Sequence, residues 1–231
     1  MHLALADPKP IIPTVTDIRT KPAYSRAEAA RLLRVPCSTL QYWFRPQRRV
    51  EHLEGYLNFL ELLEGYTIQV LRSKHQIRFQ KIGKAIDYLK KKTGKPYPLA
   101  TDGLLLQTDG TNLFLEELGR LISISQGGQQ AMQDVLQAFL KRVEYGKDGL
   151  AQRFFPLTRD FRVDSPKYIV VDPNLNFGRP CLYGKGIATA MIASRFNAGE
   201  NAAELAEDYG CDAKFIEEAI RAEINTPSIA A

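Results

Sequence analysis

The sequence predicts a mainly α chain with a small β component: an N-terminal winged helix-turn-helix, an α+β linking region and a C-terminal trihelical domain. Three observations carry this. Apolar residues recur at helical spacing over 25–33, 59–73 and 79–93, with capping sequences at the starts of the first two. The pattern turns to short alternating runs and glycines between about 104 and 157. Three further short helical segments close the chain after residue 186. At 231 residues, with 45% hydrophobic and 25% charged residues, the composition is that of a globular protein. No apolar run approaches the roughly 20 residues of a membrane-spanning helix. The first residues lack a secretory pattern, so a cytoplasmic location is expected. Cys37, Cys181 and Cys211 form no C-x-x-C pair and are expected as buried thiols.

Residues 1–23 hold Pro8, Pro10, Pro13 and Pro22 and read as an extended arm. Ser25-Arg26-Ala27-Glu28 is a capping-box sequence that opens the first helix, with Ala29, Leu32 and Leu33 on one face. Arg34-Val35-Pro36 interrupts it, because proline disfavours helical geometry in the residue before it. A second short helix starts near Ser38 and runs through Trp43-Phe44 to a stop at Pro46. Residues 47–56 form a basic connection suited to a small hairpin. Asn58 and Glu61 make another capping box, ahead of a helix to about Ser73 whose Leu60, Ile68 and Leu71 lie outside one narrow stripe and are expected in a dimer interface. The next helix, Phe79 to about Thr93, buries Ile82, Ala85, Ile86 and Leu89 and ends at Gly94.

In the linking region, 98–165, the pattern predicts a hairpin over 104–116, a strand at 122–125, a helix from Gln129 to Tyr145 and a strand from Ala151 to Leu157. In the last region, 166–231, it predicts a strand at Tyr168–Val171, then helices over 187–196, 202–209 and 213–224, with Asn201 and Asp212 as caps. The first unit proper is then 24–97.

Two short helices joined by a tight turn have helix-turn-helix spacing. The second would offer Ser38, Thr39, Gln41 and Tyr42 to a DNA groove, while Leu40 and Trp43 face the core. Arg45, Arg48 and Arg49 follow, where a wing lays cations on phosphates. Charge agrees: residues 20–100 carry 16 Lys and Arg against 6 Asp and Glu, residues 101–231 carry 13 against 18. A basic front half suits a polyanion. Residues 198–223 hold eight acids and two bases. Phosphates would repel such a surface. Glu204, Glu207, Asp208, Glu217 and Glu218 therefore suit a protein contact, in self-association or against a basic protein surface.

Enzymatic readings fare poorly. Residues 178–186 approach a phosphate loop, but five residues separate the glycines and Gly186 stands where Ser or Thr would hold magnesium. His2, His52 and His75 lie in no catalytic context, and no cluster has metal-ligand spacing. The chain is expected to be a non-enzyme without cofactor or metal.

The stretch YSRAEAARLLRVPCSTLQYWFRP, followed by FQKIGKAIDYLKKKTG, resembles winged-helix regulators of the MerR type. The segment from IVVDPNLNFGRPCLYGKGIATA to AELAEDYGCDAKFIEEAI is similar to the trihelical family called domain of unknown function 433, through its D-P-x-x-x-F-G-R-P start, glycine turn and A-G-E link. Chains joining the two blocks resemble VapB-like antitoxins. That resemblance implies a protein that binds double-stranded operator DNA, represses its own operon and occludes a PIN-like ribonuclease toxin; a homodimer is expected because two short helices read only one half-site. Lys185-Gly186-Ile187-Ala188 departs from the family's usual glycine turn. A rival reading is an effector-sensing regulator with a pocket lined by Phe114, Phe139, Phe154 and Phe155; another is an RNA-binding or structural adaptor.

Overall fold

The computed structural model describes residues 17–44, 55–101, 134, 136–158 and 166–224. The chain is mainly helical, with three two-stranded antiparallel sheets among the described residues. Residues 45–54, which include most of the expected hairpin, and the segments expected as strands at 104–116 and 122–125 lie outside the described residues.

Strand β1 (Tyr24–Ser25) pairs with β2 (Tyr56–Leu57), Tyr24 opposite Leu57. Ser25 then caps α1 (Arg26–Leu33), its hydroxyl accepting from the Glu28 amide at 3.2 Å. The expected box is half made, because the Glu28 carboxylate pairs with Arg179 at 2.7 Å. Arg34 adopts a left-handed φ of 53°, and the Val35 N–H donates to the Ala30 carbonyl. That closure, with Pro36 behind it, turns the chain into α2 (Cys37–Trp43).

Helix α3 (Phe59–His75) opens with the complete Asn58–Glu61 capping box. Every residue from Phe59 to Leu71 is buried except half-buried Gln69. A helix buried on all sides belongs at the centre of a core. Leu60, Ile68 and Leu71, expected in a dimer interface, are at most 3% exposed within the single chain. Their spread around the helix reflects enclosure by α1, by α4 (Phe79–Thr93) and by the linking region. Gly65 is where α1 crosses: a Cβ there would lie 2.7 Å from Leu33 Cδ1. From the linking region, Phe139 stacks on Tyr66 at 5.5 Å and Phe154 leans on it at 5.3 Å. One apolar cluster therefore runs from Tyr24 to Val171.

The helix expected through Tyr145 ends at Leu140, and Val143–Tyr145 is strand β3, paired with β4 (Ala151–Phe154). Arg142 makes the corner. Its buried guanidinium donates to the carbonyls of Phe155 at 2.8 Å, Pro166 at 3.2 Å and Pro156 at 3.3 Å. Strand β4 is shorter than the expected 151–157.

Phe154 and Val171 exchange backbone hydrogen bonds of 3.0 and 2.9 Å, joining this layer to β5 (Ile169–Val170). Its partner is β6 (Cys181–Leu182). Helices α5 (Thr189–Asn197), α6 (Ala202–Asp208) and α7 (Ala213–Ile224) pack around Ile169, Leu182, Ile192, Leu205, Ile216 and Ile220. Helix α5 starts two residues later than expected, because the Ile187 carbonyl closes the glycine turn by accepting from the Leu182 N–H at 2.8 Å. Of the arm, Ile18–Thr20 forms a 3-10 turn, and Arg19 holds Asp17 and Asp148 together.

Candidate nucleic-acid and partner interfaces

Helix α2 is set by what it buries. Leu40 and Trp43 are 1% and 3% exposed, and Trp43 stacks on Phe79 at 5.7 Å. With those two positions facing inward, Ser38 and Gln41 stand in solvent. Thr39 is half-buried. Tyr42 is half-buried too, its ring edge-on to Phe79 at 5.3 Å, so its ring supports the helix as well as facing outward. Arg45, Arg48 and Arg49 lie outside the described residues.

Two cations missed by the sequence reading sit near this helix. The Arg72 guanidinium lies 5.3 Å from the centre of the Trp43 ring. Exposed Arg78 immediately precedes Phe79, the residue that packs on Tyr42 and Trp43. No local motif could have found them: Arg72 and Arg78 reach α2 through an aromatic contact that spans some thirty residues of sequence.

The acidic residues of the C-terminal helices divide. Glu207 and Glu217 are exposed. Glu204 is exposed, but one carboxylate oxygen accepts from the Asn201 amide at 3.0 Å in a capping box. Asp208 pairs with Arg195, which also holds Glu200 and lies over the Tyr209 ring. Glu218 departs from the expectation. It is 1% exposed, accepts from the Thr158 hydroxyl and lies 3.7 Å from Arg221 Nε. It is a buried joint to the linking region, which leaves it no surface for a partner.

The D-P-x-x-x-F-G-R-P segment forms a second joint. Asp172 is 4% exposed and accepts from the Asn174 amide at 2.8 Å. Asn176, Phe177 and Gly178 then take left-handed φ values of 47°, 54° and 78°. This backbone aims the Gly178 carbonyl at the buried Tyr24 hydroxyl, which donates to it at 2.8 Å. Arg31 reaches from α1 to Glu223 on α7, whose other oxygen accepts from the Thr189 hydroxyl at 2.5 Å.

Residues 169–221 match the family of unknown function DUF433. Over 224 residues the chain is 26% identical to a Mycobacterium tuberculosis protein named "Putative antitoxin VapB45", covering 82% of this chain and 88% of the relative. It is 24% identical over 226 residues to the uncharacterized protein Rv2308 of the same organism, covering 90% and 92%. The fold is similar to the crystal structure of Rv2018 from Mycobacterium tuberculosis, with a TM-score of 0.67 at 24% identity over 87% of this chain and 99% of that one. The DUF433 match takes in β5, β6, the signature loop and most of α7, so the Tyr24 and Glu28 joints bind the matched segment to the N-terminal unit.

The cysteines carry no reactive geometry. Cys181 is buried and its thiol is pushed up to about 11, first by burial and then by Asp172. Cys37 and Cys211 are half-buried rather than buried, and burial raises the Cys211 thiol. No group of three or more His, Cys, Asp or Glu among the described residues is placed to hold a metal ion. No described helix is long and apolar enough to cross a membrane.

Proposed function

We propose that this protein is a DNA-binding antitoxin of the VapB-like kind. Its MerR-like winged helix-turn-helix, read through residues 37–49, binds the operator of its own operon as a homodimer. Its DUF433 segment neutralises a PIN-like ribonuclease by covering the active site. The observation that carries the DNA half is α2 itself: the apolar pair Leu40 and Trp43 is locked inward while Ser38 and Gln41 face solvent. The basic first half supplies the phosphate contacts. The antitoxin half is supported by the name of the 26% identical relative and by the open carboxylates Glu207 and Glu217, which suit a basic partner.

Gel shifts with the DNA upstream of its own reading frame, repeated at rising salt, test the first half. Replacing Arg45, Arg48 and Arg49 with alanine should weaken binding to every sequence and reduce the salt slope by about one per residue. Gln41→Ala should cost about 1–3 kcal/mol at one base position and leave the slope alone. Binding that ignores sequence, or four variants that behave as the parent, sinks the assignment. Co-expression with a PIN-like ribonuclease from a neighbouring reading frame tests the second half: Glu207→Lys with Glu217→Lys should lose protection against growth arrest.

The effector-sensing alternative expects a pocket lined by four phenylalanines of the linking region. Phe139, Phe154 and Phe155 are at most 2% exposed and packed into the core, and Phe114 lies outside the described residues.

A further inference from the structure

The signature loop carries a feature to which the proposed function assigns no role. Phe177 is 83% exposed, on a backbone with a left-handed φ of 54°. Such a conformation is costly for a bulky residue, and an exposed aromatic ring contributes nothing to the chain's own core. Beside the ring opens a groove of about 290 Å³ between the loop and the arm. Its walls are apolar: Ile18, Pro22, Ala23, Phe59 and Pro173. That volume sits just below the lower end of small-molecule pockets, roughly 300–1,000 Å³.

Charge narrows what fits. The groove's lining includes two cations, Lys21 and Arg179, and no carboxylate. Arg179 is already held by Glu28 at 2.7 Å. Lys21 is exposed and its ammonium has no partner among the described residues. A cationic rim over apolar walls complements an anion with a hydrophobic body.

We propose that this groove binds a small organic carboxylate with an apolar chain or ring, its carboxylate against Lys21 and its body under the Phe177 ring. The site joins the arm and β1 to the DUF433 loop at the Tyr24–Gly178 hydrogen bond, so an occupant also stiffens that joint. The proposal does not rest on the antitoxin reading, because binding is measured without DNA or toxin.

Titration calorimetry of the full chain with octanoate and 4-phenylbutyrate, against octanamide and 4-phenylbutyramide, tests it. Both acids should bind one to one with Kd below about 1 mM. The amides should bind about fivefold more weakly, and Lys21→Gln should bring the acids down to the amides. Phe177→Ala should weaken acids and amides alike by about fivefold. Both side chains are exposed, so both variants should keep the parent's thermal midpoint. Absence of binding by either acid, equal affinity for acid and amide, or variants that bind as the parent overturns the proposal. So does a dimer, seen by sedimentation, that Phe177→Ala dissolves while no acid binds: the groove would then hold a second copy.

Discussion

Tyr66 and Glu64 sit two residues apart on α3, and both are polar groups taken into a core. The Tyr66 hydroxyl accepts from the Leu157 N–H at 2.7 Å and donates to the Leu157 carbonyl at 3.3 Å. Burial pushes its phenol up to about 12. Tyr66→Phe keeps the ring stacking on Phe139 but strands both backbone groups of Leu157. The expected loss is about 2–3 kcal/mol, which lowers the thermal midpoint by roughly 5–10 °C. Calorimetry of the variant measures this, and a midpoint within a degree of the parent would show that water replaces the hydroxyl. Glu64 is 4% exposed, with Lys90 Nζ at 3.8 Å and the Leu99 N–H at 3.3 Å. Burial raises its carboxyl above the usual range, and Glu61 adds to this against the pull of Lys90. A carboxyl whose folded pKa exceeds its unfolded one holds its proton better when folded. Stability from this group is greatest below the unfolded value and falls as pH rises through the folded one. Glu64→Gln keeps the acceptor for Leu99 and cannot ionise. Urea midpoints between about pH 4 and 8 should therefore decline less in the variant than in the parent. Parallel curves would remove Glu64 as the source.

At the scale of elements, legibility followed the range of the forces. Helices α3 and α4 begin and end close to where Asn58, Glu61 and Gly94 say they should, because caps act within four residues. Val143 misled: its apolar position fits both a helical stripe ending at Phe139 and the start of a strand. What decides is Arg142, whose three carbonyl partners lie 13 to 24 residues ahead. Counting charge likewise put Glu218 on a surface. The Thr158 hydroxyl that buries it is 60 residues away. At the candidate site, the outward Ser38 and Gln41 were readable from the inward Leu40 and Trp43, whereas Arg72 and Arg78 were not. The signature loop shows the same limit, since its match gives no hint that Gly178 serves Tyr24. A Cβ on Gly178 would lie 2.3 Å from the Tyr24 hydroxyl oxygen, at a φ of 78°. Gly178→Ala should cost about 2–4 kcal/mol, from left-handed strain and the broken hydrogen bond. In a Tyr24→Phe background the oxygen is absent, so the same change should cost less. A double-mutant cycle measures the difference, and additive losses would mean that strain alone is felt.

Across the whole molecule, the two apolar clusters are unequal. The first runs through α1 to α4 and the linking region, while the C-terminal cluster has eight buried members among the described residues. A unit of that size is marginal on its own. Five joints are among those that tie it to the larger core: Tyr24 to Gly178, Glu28 to Arg179, Arg31 to Glu223, Thr158 to Glu218, and the paired backbone bonds of Phe154 and Val171. Three of the five leave from β1 or α1, the element that carries α2. The folding of the C-terminal helices is thereby coupled to α1 and α2, and the parent should unfold in one calorimetric transition. Removing the three joints together, as Tyr24→Phe with Glu28→Ala and Arg31→Ala, leaves each cluster intact but cuts the coupling. Hydrogen exchange should then show α5 to α7 opening well before α3, with a second, lower transition in calorimetry. If the triple variant still melts as one unit with unchanged protection in α7, the contacts from the linking region suffice, and α1 is no route between the C-terminal helices and α2.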